Sequence, residues 1–157
     1  MVAIGGGSPM DAAKAAAARL ARPNRSVGQL KGLLKVRRKI VPFAAVPTTA
    51  GTGSETTIAA VVTDETHHKY AVNDLCLIPR WAILDPTLTV SLPAGVTAET
   101  GLDALTHAVE AYIGRFYNTR ETRSLARQAV EAIYRMNRAL GIPECFPCIP
   151  VSYTHLR

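Results

Sequence analysis

Apolar positions in the first half of the chain fall in short runs separated by glycine-rich or polar stretches, a pattern of brief strands rather than long helices. "MVAI" (residues 1–4) is the first such run, and three glycines follow it. "SPMDAAKAAAARLA" then reads as a helix. Ser8 is placed to cap it, Pro9 suits its first turn, and Asp11 completes an S-x-x-D capping pattern. "IVPFAAVPTTA" (residues 40–50) predicts a second buried strand running into a loop. "IAAVVTDETHHKYAV" predicts two strands joined by a polar turn, and "RWAILDP" one more short strand. Strands alternating with a helix point to an α/β layer. Past the Pro- and Thr-rich "DPTLTVSLPAG" only helical patterns remain, from about Thr97 to about Leu140, which places a boundary near Pro93.

Composition narrows the class without changing this picture. The chain has 157 residues, of which 48% are hydrophobic and 19% charged, enough apolar material for a core and unlike a disordered chain. No apolar run is long enough to span a bilayer, and the N-terminus lacks the pattern of a signal peptide, so a cytoplasmic location is expected. Three cysteines are too few and too scattered for a disulfide scaffold. Cys145 and Cys148 form an isolated C-x-x-C with no second pair to complete a zinc site. The net charge of +6 peaks in "KVRRK" (Lys35 to Lys39), a run that reads as a solvated basic loop. A nucleic-acid role rests on that cluster alone.

Two loops carry candidate binding chemistry. A strand, then "GGGS", then a helix start is the arrangement that cradles a pyrophosphate, because glycines admit a close backbone approach and free helix N–H groups face the anion. "PTTAGTGSET" (residues 47–56) follows a second strand and concentrates small and hydroxyl side chains. Together the two loops predict a nucleotide crevice at strand ends.

The helical half contains "GLDALTHAVEAY" (residues 101–112). At 100° per residue Asp103, His107 and Glu110 share a narrow arc, while Leu102, Leu105, Val109, Tyr112 and Ile113 share another face. Residues 101–113 carry no Lys or Arg and no further Asp, Glu or His, which predicts a largely enclosed helix whose buried acids need a cation such as a divalent metal. An Asp and a His at i and i+4 can bind one ion. His67 and His68 lie in a polar turn and read as solvent-exposed.

"GGGSPMDAAK", "PTTAGTGSE", "DPTLTVSLP" and "GLDALTHAVEAY", in this order, resemble the successive motifs of iron-containing (group III) alcohol dehydrogenases, over roughly residues 1–134. The resemblance implies the dehydroquinate synthase-like fold of that family. Residues 1–93 would be the C-terminal part of a Rossmann-like dinucleotide-binding domain, 94–140 the first helices of an all-α metal domain, and 141–157 a non-native tail. It implies that Gly6, Gly7 and Ser8 hold the pyrophosphate of NAD or NADP with Asp11 beside the cofactor, that Thr48, Thr49, Thr52 and Thr57 line the rest of the site, and that Lys69 lies close to it. Asp103 and His107 would be two ligands of Fe(II), or of Zn(II), with two further histidines contributed from later in the family's chain.

The implied reaction is hydride transfer between the nicotinamide and an alcohol or aldehyde, the metal polarising the substrate oxygen. A homodimer or higher homo-oligomer is expected of the full-length enzyme, with no nucleic-acid or membrane partner. A zinc-type glycerol or polyol dehydrogenase of the same superfamily, or a nucleotide-binding module without chemistry, are the alternatives. The family is longer at both ends, and the last seven residues, "VSYTHLR", resemble one frame of a sequencing-library transposon adapter. The expectation is therefore an internal fragment, inactive as a dehydrogenase by itself, in which His155 and the two tail cysteines have no role.

Overall fold

The structure is a computed structural model that describes residues 1–114, 118–139 and 141. The expected non-native tail, with Cys145, Cys148 and His155, lies outside the described residues apart from Gly141. The chain divides into two compact units, Met1–Leu92 and a second that begins at Pro93.

In the first unit, strand β1 (Val2–Gly5) leads into helix α1 (Gly7–Ala21), and a two-residue strand β2 (Gly32–Leu33) follows. Next come β3 (Ala44–Pro47), β4 (Ala59–Thr63), β5 (Lys69–Asn73) and β6 (Trp81–Ala82). One sheet has the order β1-β3-β6, all parallel, with Val2 opposite Ala44 and Ala44 opposite Trp81. Parallel neighbours require a crossover, and α1 lies within the one from β1 to β3. The second sheet, β2-β5-β4, joins β4 and β5 antiparallel through the turn at Asp64–His68. Asp64 stabilises that turn by accepting from the Thr66 and His68 N–H groups, and His67 and His68 are exposed, as the sequence predicts.

α1 is the element that makes a core possible. Met10, Lys14, Ala17 and Ala18 recur at helical spacing on its buried face. Three of them pack with Ala3, Leu30, Val36, Phe43, Ala45, Ala60, Val72 and Leu77. The small alanines let the helix lie close to the sheets. The helix start differs from expectation. Gly6, not Ser8, is the N-cap and makes no side-chain capping bond, so Pro9 falls at the third helical position. Asp11 completes no capping box and instead accepts from Ser54 Oγ and the Val61 N–H.

"KVRRK" is an exposed loop except for Val36, which is buried. It is anchored from beneath by Asp74, whose carboxylate accepts from the N–H groups of Val36, Arg37 and Cys76.

In the second unit α2 (Ala94–Ile113) and α3 (Arg120–Ala139) pack together. Gly101 sets their closeness: a Cβ there would meet Met136 Cε at 2.6 Å. Among the described residues no helix is long and apolar enough to cross a membrane.

Candidate dinucleotide crevice and metal pair

At the end of β1 the backbone turns through Gly5, with φ +147°, directly into α1. The first N–H groups of a helix have no intrahelical acceptor. Because Pro9 carries no N–H, the donors available at this end are those of the glycine turn and Ser8. The strand-end loop after β3 closes over this terminus, anchored by the Thr48 N–H donating to the Gly5 carbonyl at 3.0 Å. A Cβ at Gly6 would lie 3.2 Å from Thr49 Oγ1, and one at Gly7 would lie 2.9 Å from Thr52 Cγ2. The two loops therefore pack directly on one another, and the absence of side chains at Gly6 and Gly7 is what admits Thr49 and Thr52 so close to the helix start. Thr49 Oγ1 is buried there without a hydrogen-bond partner, a deficit that an incoming phosphate or ribose oxygen would relieve. These features fit a pyrophosphate.

The expected site residues do not all occupy the same position. Gly6 packs against Thr49 and Gly7 against Thr52, and Ser8 is exposed on the first turn of α1. Asp11 and Thr57, both half-buried, are hydrogen-bonded to other parts of the chain. Asp11 accepts from Ser54 Oγ at 2.6 Å and from the Val61 N–H at 3.1 Å. The hydroxyl and carbonyl of Thr57 accept from Lys14 Nζ at 3.1 and 2.9 Å. Lys69 is exposed at the start of β5, paired with Thr63.

Lys14 is the residue that sequence reasoning passed over. It is fully buried, and its third contact is the Ala59 carbonyl at 2.9 Å. Its place in the stripe Met10, Lys14, Ala17, Ala18 was the available signal, since a lysine on the apolar side of an alanine-rich helix must bring its partners with it.

Burial pulls the Lys14 ammonium down from 10.5 to about 8, against the favourable charges of Asp11 and Glu55. Between those two values the unfolded chain holds a proton that the folded chain has released. Stability should thus rise with pH across that window as the cost of burying the cation is relieved, while below it that cost is carried in full and does not vary with pH. Urea unfolding at neutral pH and near pH 10, compared with Lys14→Met, should show the rise only in the parent chain.

On α2, Asp103 Oδ1 stands 3.8 Å from His107 Nε2. Here the expectation of an enclosed helix is corrected. The two side chains keep 41% and 56% of their exposure, Glu110 is exposed, and Val109, Tyr112 and Ile113 are exposed as well. Gly101 and Ala108, the buried positions of α2, lie on the side of the helix opposite Asp103 and His107. Within this chain the acids are solvated, so burial among its own residues does not by itself demand a cation. What remains is the donor set: one carboxylate and one imidazole, a turn apart on an open face, suited to Fe(II) or Zn(II). Among the described residues no group of three or more His, Cys, Asp or Glu side chains is assembled for a metal.

Comparison with known proteins agrees with the motif order. Residues 1–86 match the family model "Iron-containing alcohol dehydrogenase", and residues 97–140 match "Fe-containing alcohol dehydrogenase family, C-terminal". The NAD-dependent methanol dehydrogenase of Bacillus methanolicus is 46% identical over 134 residues, covering 85% of this chain and 35% of that protein. The NADPH-dependent butanol dehydrogenase of Clostridium saccharobutylicum is 40% identical with the same two coverages. An iron-containing alcohol dehydrogenase crystal structure from Thermotoga maritima superposes with a TM-score of 0.80 at 39% identity, over 90% of this chain and 39% of that one. The chain thus spans little more than a third of the length of these relatives.

Proposed function

Because this chain belongs to the iron-containing alcohol dehydrogenase family, we propose that the protein of which it is part transfers a hydride between NAD(P)(H) and a small alcohol or aldehyde. The observation that carries the reading is the glycine turn at the N-terminus of α1, against which the 47–56 loop packs with the Thr49 hydroxyl buried and unpartnered.

In this reading the backbone N–H groups of the glycine turn and Ser8 bind the pyrophosphate, and Thr49 and Thr52 hold neighbouring oxygens. Thr48 secures the wall through its N–H bond to Gly5. Asp103 and His107 supply two metal ligands. The nicotinamide supplies the hydride, and the metal, when bound, polarises the substrate oxygen. The 157-residue chain has the cradle and one metal-ligand pair, and so binds dinucleotide without turning substrate over. A cytoplasmic location and a homo-oligomeric full-length enzyme belong to the same proposal. The relatives are named for NAD in one case and NADPH in the other, so either dinucleotide is within the proposal.

Titration calorimetry with NAD+ and NADP+ tests it. The chain should bind at least one of them, and Gly7→Val, which fills the space against Thr52, should weaken binding at least tenfold. Equal affinity in the variant, or no binding by the parent, would remove the crevice from the mechanism.

A further inference from the structure

The crevice wall opposite the glycines is a loop, and loops seldom hold a ligand-binding geometry unless something fixes them. Two side chains of α1, three residues apart on one side of the helix, are attached to the chain that leaves this wall. Asp11 takes the Ser54 hydroxyl and the Val61 N–H. Lys14 gives its three N–H donors to the Thr57 carbonyl, the Thr57 hydroxyl and the Ala59 carbonyl. Residues 54, 57, 59 and 61 are thereby tied, from both ends of the segment, to the same helix whose N-terminus forms the other wall.

The ammonium is fully buried and all of its donors are used, so it has no means of contacting a cofactor. A buried cation in a strand–helix layer costs free energy that an apolar residue would not, and its charge has Asp11 and Glu55 as electrostatic partners. What the residue supplies in return is a fixed geometry: with Asp11 it ties the segment after the 47–56 loop to the same helix that carries the glycine turn.

We propose that Lys14, together with Asp11, is a positioning residue that fixes the 48–58 loop at the separation from α1 required by a pyrophosphate. This inference rests on the dinucleotide reading above for its ligand, but the mechanical part of it does not.

Lys14→Met keeps the length of the side chain and removes all three donors. In the 157-residue chain, hydrogen exchange should accelerate at least tenfold in residues 48–58 and remain within about twofold in β1 and α1. Affinity for NAD+ and for ADP should fall at least tenfold, while affinity for adenosine, which has no phosphate, should be unchanged. Ser54→Ala, which removes only one contact of Asp11, should shift exchange and affinity in the same direction by a smaller factor, and it serves if Lys14→Met does not fold. Exchange that rises uniformly over residues 1–92, or affinity that is unchanged while the loop loosens, would overturn the proposal. If the parent chain binds neither NAD+ nor ADP, the dinucleotide reading fails. The exchange of residues 48–58 alone then decides whether the anchor exists.

Discussion

Replacing Gly5 by alanine is expected to lower the stability of the first unit by about 3 kcal/mol, from backbone strain together with overpacking. The φ of +147° at this residue is one that L side chains rarely adopt. The added methyl would also sit 2.8 Å from Pro9 Cγ and 3.0 Å from Pro9 Cβ. That ring is rigid and built into the first turn of α1, so it has no rotamer by which to withdraw. Relief requires moving α1 or the end of β1, and both are held. The Gly5 carbonyl accepts from Thr48, and β1 is paired with β3 along its length. For a unit of this size the loss corresponds to a fall in Tm on the order of 15 °C. Gly95→Ala is the control. It lies in α2 with nothing within 4 Å of the new carbon, and should stabilise its helix by up to about 1 kcal/mol. Thermal unfolding of both variants checks the pair, and a Gly5→Ala protein within about 0.5 kcal/mol of the parent, the range of a neutral surface change, would show that the turn relaxes freely.

Asp74→Ala should be at least as damaging, with a loss of about 3 to 5 kcal/mol, because it leaves buried donors without an acceptor. Asp74 is 3% exposed, and its carboxylate receives the N–H groups of Val36, Arg37 and Cys76. Through them it holds the basic loop, including Arg37 at a positive φ, and starts the helical turn at Leu75–Leu77. Asp74→Asn keeps one acceptor oxygen and should lose about half as much.

The pH dependence of this residue has a definite sign. Burial raises the Asp74 pKa, but the bonds from Arg37, Cys76 and Val36 outweigh it, and the net direction is downward. A depressed carboxylate contributes stability that is complete above its unfolded value, about 3.9, and is lost as pH falls through the lower folded value. Acid unfolding of the parent should therefore steepen below about pH 4, and Asp74→Asn should flatten that limb. Parallel acid titrations followed by circular dichroism would show the difference, and identical acid limbs would mean that Asp74 does not carry it.

Much of this protein was legible without coordinates. The strands around "MVAI", "FAAVP" and "DETHHK", the helix after the glycines and the switch to helical pattern near Pro93 follow from local signals, since apolar period and turn residues act over a few positions. That the two glycine- and threonine-rich loops lie side by side was readable as well, because both follow strands of one α/β layer. Four motifs in order were sufficient to mark the family.

The identity of the pieces was local, but their partners were not. Lys14 appears in sequence as one charge among alanines. Only the packing of α1 on the sheets shows that it is sealed from water and must find its acceptors some 43 to 45 residues away, at Thr57 and Ala59. Asp11 likewise reads as a helix-capping acid and in the fold anchors a distant loop. The opposite error arose on α2. An apolar composition suggested enclosure, yet Asp103 and His107 are half open to solvent, since burial depends on what packs against a helix and not on what the helix contains. The spacing of that pair was determined by the sequence alone. Its exposure within this chain, and the close approach of Thr52 to Gly7, were decided by tertiary structure, because both depend on contacts between segments that no local pattern encodes.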